Sequence, residues 1–179
     1  MTQVGTVYGE ALYELAKSEA LEESILSELS ALAQSFHQEP DFLRLLAAHN
    51  ISKQERCAIL DNCFRGKCHI YVLNFLKILT EKGYPRHFQH CCDAYQHRYD
   101  LDHGILPVTA VTAIPLNQTQ SAKLSKKLGS ITGKTIRLEN RVDPDCLGGI
   151  RLDYDGKRLD DTVVHRLNSI RTRLKSTML

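Results

Sequence analysis

Asp143-Pro144-Asp145-Cys146-Leu147-Gly148-Gly149-Ile150-Arg151-Leu152-Asp153-Tyr154-Asp155-Gly156-Lys157-Arg158-Leu159-Asp160-Asp161 reads as a turn, a strand, a tight hairpin and a second strand. Pro144 fixes its own φ and turns Asp143 away from helix, so the segment opens as a turn. Gly148-Gly149 lets the backbone bend or pack where a Cβ would clash. Ile150, Leu152 and Tyr154 alternate with Arg151 and Asp153, the period of a half-buried strand. Asp155-Gly156 is a strong two-residue hairpin signal. Asp161 or Thr162 is placed to cap a following helix whose Val163, Leu167, Ile170 and Leu174 share one face.

Upstream of the turn, the same mixed pattern extends back to about residue 105. Ile105 to Ala113 alternates and holds β-branched Val108, Thr109, Val111 and Thr112, so it reads as a strand closed by Pro115. Asn117 to Leu128 is helical, with Leu116, Ala122, Leu124 and Leu128 apolar. Thr135 to Glu139 is a further strand, with Ile136 and Leu138 on one face. The polar run Asp100-Leu101-Asp102-His103-Gly104 precedes this change of period and marks a domain boundary, dividing 1–104 from 105–179.

The first half reads as helices. Val4, Val7, Tyr8, Ala11, Leu12, Leu15 and Ala16 follow helical spacing. A second run carries Leu21, Ile25, Leu29, Leu32, Ala33 and Phe36, and Pro40-Asp41 interrupts it before a short third element over Phe42 to Leu46. Ser52 with Glu55 is a capping box opening a fourth helix. Tyr71 to Lys82 is a fifth, ended by Gly83 and Pro85, and His87 to about Leu101 a sixth. The expected fold is therefore α+β in two domains: a six-helix bundle followed by a small mixed α/β domain. The fifth helix is apolar nearly all round. It is either central to the bundle or keeps one side for a partner helix.

Composition narrows the function classes. No stretch is apolar for long enough to cross a bilayer. The N-terminus lacks a basic region followed by an apolar run, which points to a chain made and kept in the cytosol or to a trimmed mature form. The cysteines Cys57, Cys63, Cys68, Cys91, Cys92 and Cys146 then read as reduced thiols. Net charge is +2, but residues 1–105 hold 10 Lys and Arg against 14 Asp and Glu, and residues 106–179 hold 13 against 7. The split suggests two modules with different partners.

The candidate chemistry is thin. Gly129-Ser130-Ile131-Thr132-Gly133-Lys134-Thr135 is one residue short of a phosphate-binding loop and runs from helix to strand, the reverse of the order such a loop needs. It reads as a helix C-cap and a turn. His69, His87, His90, His97, Cys68, Cys91 and Cys92 form a Cys/His-rich region without a C-x-x-C pair, so buried thiols and surface histidines are the expectation and no metal is assigned. Asp143, Asp145, Asp153, Asp155, Asp160 and Asp161 coincide with turns, hairpin ends and a cap. No nucleophile–base pair is recognisable, so no enzyme and no cofactor is expected. Arg166, Arg171, Arg173 and Lys175 make the last helix basic, which suits an acidic partner surface.

Four groups of residues carry a resemblance. Val142-Asp143-Pro144, Leu147-Gly148-Gly149-Ile150, Asp160 and Arg166-Leu167 resemble the C-terminal signature of the delta subunit of F-type ATP synthases, the family of the mitochondrial oligomycin-sensitivity-conferring protein. Tyr8 with Ala11-Leu12-Tyr13-Glu14-Leu15-Ala16 is similar to that family's first helix. Asn74-Phe75-Leu76-Lys77-Ile78-Leu79 with Glu81-Lys82-Gly83 is similar to its fifth, and Thr112-Ala113-Ile114-Pro115-Leu116 to a strand end between the fifth helix and the C-terminal signature. Gly9 departs from the usual alanine, which should loosen the first helix by about 1 kcal/mol, and Tyr84 departs from a frequent arginine.

The resemblance implies a non-catalytic stator subunit. It would link the N-termini of the alpha subunits in the catalytic head to the b subunits of the peripheral stalk, one copy per complex and monomeric alone. It implies a place at the inner face of a bacterial membrane, touching the membrane only through the complex, with no nucleic acid bound. Family members hold the alpha N-terminal helix between the first and fifth helices. That implies a groove here at Tyr8, Ala11 and Ile78, with Val4, Val7, Tyr71 and Phe75 as helical neighbours. The stalk is expected on Val163, Leu167, Ile170 and Leu174. The competing reading is a small RNA- or nucleotide-binding protein using the basic C-terminal half.

Overall fold

The computed structural model describes residues 2–48 and 51–169. Its elements run α1 (Gln3–Ser18), α2 (Glu22–Gln38), α3 (Pro40–Leu46), α4 (Lys53–Phe64), α5 (Ile70–Glu81), α6 (Phe88–Asp102), β1 (Ile105–Thr112), α7 (Gln118–Thr132), β2 (Thr135–Val142), β3 (Ile150–Tyr154) and β4 (Lys157–Asp160). A further helical segment spans 163–169. The fold is α+β, helices followed by a four-stranded mixed sheet. Two compact units divide between Tyr99 and Asp100, inside α6. The polar run at 100–104 therefore begins at the divide, but α6 carries the chain through it as helix.

Local chemistry accounts for the helix ends in the first unit. Thr2 accepts from the Gly5 N–H at the start of α1. Ser52 and Glu55 complete the capping box of α4, each side chain meeting the other's backbone N–H. His69 caps α5 by accepting from the Tyr71 N–H. The core gathers Leu12, Tyr13 and Ala16 of α1, Ile25, Leu29, Leu32 and Phe36 of α2, Leu46, Leu60, the inner side of α5, and Phe88, Cys91, Cys92 and Tyr95 of α6. Tyr13 and Tyr95 meet edge to face with ring centroids 5.3 Å apart, an arrangement the ring quadrupoles favour.

The apolar stripe expected on α1 divides in two. Its buried face is Gly5, Gly9, Leu12, Tyr13 and Ala16, and the rest of the apolar set points elsewhere. Gly9 is the reason α1 approaches α6 so closely. A Cβ there would lie 2.4 Å from the Cys91 carbonyl oxygen and 2.8 Å from the Ala94 Cβ. The glycine read as a loosening residue is thus the one the helix contact requires.

In the second unit the sheet order is β2-β1-β3-β4, with β1 parallel to β2 and antiparallel to β3. The parallel pair extends from Ile105↔Thr135 to Thr112↔Val142, longer than the strand ending at Glu139 that alternation alone suggests. The β1-α7-β2 crossover lays Leu124 and Leu128 of α7, with Leu116, over Leu106, Val108, Ala110 and Leu152. Helix α7 continues past Leu128 to Thr132 and ends at Gly133, whose φ of 68° is left-handed. Asp155 and Gly156 both have positive φ, the hairpin turn their sequence predicts.

Candidate partner-binding surfaces

On α1, Val7, Ala11 and Leu15 are turned from the core, Val4 lies at its border, and Tyr8 packs partly against it. Val7 is 59% exposed, Ala11 and Leu15 are exposed, and Val4 and Tyr8 are half-buried. Val7, Ala11 and Leu15 recur every four residues and so form one outward stripe. The Tyr8 ring meets that of Tyr84, just past the end of α5, at 6.3 Å between centroids. On α5, Val72, Leu73, Phe75, Leu76, Leu79 and Thr80 are buried, so its central position accounts for most of its apolar surface. Ile70 and Ile78 remain exposed, Ile78 at 44%, and Tyr71 is half-buried against His69.

Six of the seven residues expected in the head groove are thus at least partly at the surface, and Phe75 is not. Phe75 is 5% exposed and faces Phe88, their centroids 6.5 Å apart. At three residues from Ile78 it turns about 60° around the helix, enough to cross from surface to core. Leu15 and Ile70 were not expected there. For Leu15 the signal was the four-residue spacing from Ala11, and for Ile70 its place two turns before Ile78 on the same face.

The second surface surrounds the signature turn. Asp143 is extended, and its carboxylate accepts from the Asp145 N–H in an Asx turn. A 3-10 turn follows over Pro144–Cys146 and buries Cys146. Leu147 then adopts φ of 58°, a strained conformation for a leucine, with its side chain 69% exposed. Gly149 has φ of 80°, and a Cβ on it would stand 2.4 Å from the Asp161 carbonyl oxygen. The chain after β4 therefore lies directly against this glycine.

Hydrogen bonds fix that crossing. The Val163 N–H donates to the Gly148 carbonyl. The Asp160 carboxylate accepts from the backbone N–H and hydroxyl of Thr162, which hold it below the ordinary carboxylate range. Thr162 in turn caps the helical segment by accepting from the His165 N–H. Asp161 is not the cap. It pairs with Arg166 through two bonds of 2.7 and 2.6 Å, and that guanidinium lowers its pKa.

The result is an apolar edge. Leu147, Ile114 (73% exposed), Val163 and Leu167 all stand in solvent. A cavity of about 320 Å³ opens between Ile114, Pro115, Leu116, Leu147 and Gly149. Of the four residues expected to meet the stalk, Val163 and Leu167 lie on this edge, while Ile170 and Leu174 lie outside the described residues. Ile114 and Leu147 were not singled out as contacts. Leu147 sits inside the signature itself, where an apolar residue before two glycines in a turn has little to pack on.

The remaining candidates resolve into local roles. Asp153 pairs with Arg158 at 2.7 Å, and this contact lowers its pKa. Burial pushes the Cys91 thiol up to about 11 and Cys92 higher still, so both are protonated apolar side chains at neutral pH. No three His, Cys, Asp or Glu side chains converge on a metal position among the described residues. The stretch Gly129 to Thr135 is the last turn of α7, its left-handed cap and the start of β2, a geometry that offers no phosphate cradle.

Asn140 on β2 is a half-buried polar hub. Its amide donates to the Ala110 carbonyl and the Thr112 hydroxyl, each at 2.9 Å, and its oxygen accepts from the Leu116 N–H at 2.8 Å. It thereby ties β1, β2 and the loop carrying Ile114. A lone asparagine on an edge strand gives no sequence signal for this.

Exposed apolar stripes on a helical unit and on a mixed α/β unit are surfaces of the kind that hold partner proteins. The chain belongs to the ATP synthase delta (OSCP) subunit family, whose model matches residues 4–174. It is 30% identical over 172 residues to the ATP synthase subunit delta of Alkaliphilus oremlandii (strain OhILAs), covering 96% of each chain. It is also 30% identical over 167 residues to that of Desulfitobacterium hafniense (strain Y51), covering 93% of each. A chain of the Toxoplasma gondii mitochondrial ATP synthase hexamer has the same fold, with a TM-score of 0.73 at 18% identity over 97% of this chain and 98% of that one. This subunit is accordingly a structural, non-catalytic component of the peripheral stalk of an F-type ATP synthase, working with other subunits of that membrane-bound complex. No helix among the described residues is long and apolar enough to cross a membrane. The nucleic-acid reading is not supported.

Proposed function

We propose that the first unit, as a six-helix bundle, grips the catalytic head and the second grips the stalk, so that one copy of the chain resists rotation of the head. The observation that carries this is the solvent-exposed apolar surface in each unit, Val7, Ala11 and Ile78 in the first and Ile114, Leu147, Val163 and Leu167 in the second. Val4, Val7, Tyr8 and Ala11 of α1, with Tyr71 and Ile78 of α5, receive the apolar face of an alpha-subunit N-terminal helix. The edge of Leu147, Ile114, Val163 and Leu167 receives the C-terminal ends of the b subunits. The chain would work at the cytoplasmic face of a bacterial membrane, monomeric when free. Torque resistance needs tight contacts and no chemistry.

The test is calorimetry of a synthetic alpha N-terminal peptide against wild type and Ala11→Asp. Ala11 is exposed, so the variant should melt like wild type, yet the buried carboxylate at the interface should cost at least ~2 kcal/mol of binding. Equal binding by the folded variant would remove α1 from the interface. Leu147→Ser with Val163→Ser should weaken binding of the stalk's soluble portion without affecting the alpha peptide.

A further inference from the structure

We propose that the outward face of α7 is a second stalk contact, on which Lys123, Lys126 and Lys127 receive a carboxylate-rich helix of a stalk subunit. This rests on the stalk assignment above and adds to it a surface and a partner chemistry. At about 100° per residue the three lysines fall within one third of the helix circumference, on the side turned from Leu124 and Leu128. All three are exposed, and among the described residues none has an ion-pair partner.

Among the described residues no acidic side chain pairs with this charge. The sequence has no Asp or Glu between Asp102 and Glu139, and none after Asp161. The lysines are not placed to complement the helix dipole, since the last turn of α7 carries no basic residue. A face kept merely for solubility would mix signs, because adjacent like charges repel at i,i+3 and i,i+4. Three ammonium groups at positions i, i+3 and i+4 instead match carboxylates at the same spacing on a neighbouring helix.

The chemistry of the face selects a protein over the other anionic partners. Single-stranded nucleic acid would call for aromatic rings to stack its bases, and α7 has none. A membrane surface would call for apolar residues opposite the lysines and directed at the lipid. That side of α7 is spent on the sheet, and its one bulky exposed apolar residue, Ile131, sits at the end of the helix.

The experiment uses the full chain bound to the soluble portion of its own synthase's stalk subunits. A carbodiimide joins lysine amines to carboxylates in direct contact, and mass spectrometry locates the links. Calorimetry compares wild type with Lys123→Gln/Lys126→Gln/Lys127→Gln at low and high salt, after melting curves establish that the variant is folded. The expected result is amide links from these lysines to stalk Asp or Glu, and binding about 10-fold weaker in the variant at ~0.05 M salt, a gap that closes toward ~0.5 M. Unchanged affinity and salt dependence, with no such links, would overturn the inference while leaving the stalk assignment intact. Failure of wild type to bind the stalk portion would overturn both. Lysine-dependent binding of phosphatidylserine vesicles or single-stranded RNA, without stalk links, would assign the face to another partner and refute the proposal.

Discussion

Gly9→Ala sets two effects against each other with opposite signs. Helix propensity favours alanine by about 1 kcal/mol, so an isolated α1 would gain from the change. In the folded unit the new methyl would lie 2.4 Å from the Cys91 carbonyl oxygen and 2.8 Å from the Ala94 Cβ, with the Cys91 carbonyl carbon at 3.2 Å. A carbon and a carbonyl oxygen need roughly 0.8 Å more than that. The obstacle is helix backbone, so the relief must come from separating α1 and α6 rather than from rotating a side chain. Separation loosens the packing of Leu12, Tyr13 and Ala16, all buried. Overpacking costs about 1–3 kcal/mol, and a clash with helix backbone belongs in the upper part of that range, about 2–3 kcal/mol, so after the propensity gain of about 1 kcal/mol the net expectation is a loss of about 1–2 kcal/mol. For a unit of this size that lowers Tm by roughly 5–10 °C. Thermal melting followed by near-ultraviolet circular dichroism reports on the Tyr13–Tyr95 pair at the core of this unit. An unchanged or higher Tm for Gly9→Ala would show that propensity wins and that the close approach of α1 to α6 is wrongly drawn.

Asn140→Ala should destabilise the second unit by about 1–3 kcal/mol in urea unfolding, because the Leu116 N–H and Ala110 carbonyl lose their side-chain partner. Asn140→Asp should be worse than Ala at neutral pH, since it turns an acceptor toward the Ala110 carbonyl while keeping the bond to Leu116. In acid, the groups to watch are Asp153, Asp160 and Asp161, all with lowered folded-state pKa values. Lowered carboxylate values stabilise the fold above the unfolded pKa of about 4 and lose that contribution as pH falls through the folded values. The Tm of the second unit should therefore fall below about pH 4, and Asp160→Asn should flatten the fall. A Tm independent of pH between about 5 and 2.5 would refute that reasoning.

Most of the helices and strands are written in local patterns: the capping box at Ser52 and Glu55, the alternation of Ile150, Leu152 and Tyr154, and the hairpin at Asp155-Gly156. These depend on neighbours within a few residues, and the family signature is made of the same local pieces. What only the tertiary structure decided is where each apolar side chain goes. The repeat on α1 gives a stripe, but Gly5 and Gly9 turn a different face inward by letting α6 approach. Phe75 and Ile78 look alike in sequence, yet one fills the core and the other meets water. Leu147 stands in solvent beside Gly149, against which the chain after β4 crosses. Spacing fixes which side chains share a face of an element, because backbone geometry is local. Which face is covered depends on contacts between residues far apart in the chain, and no local pattern encodes them.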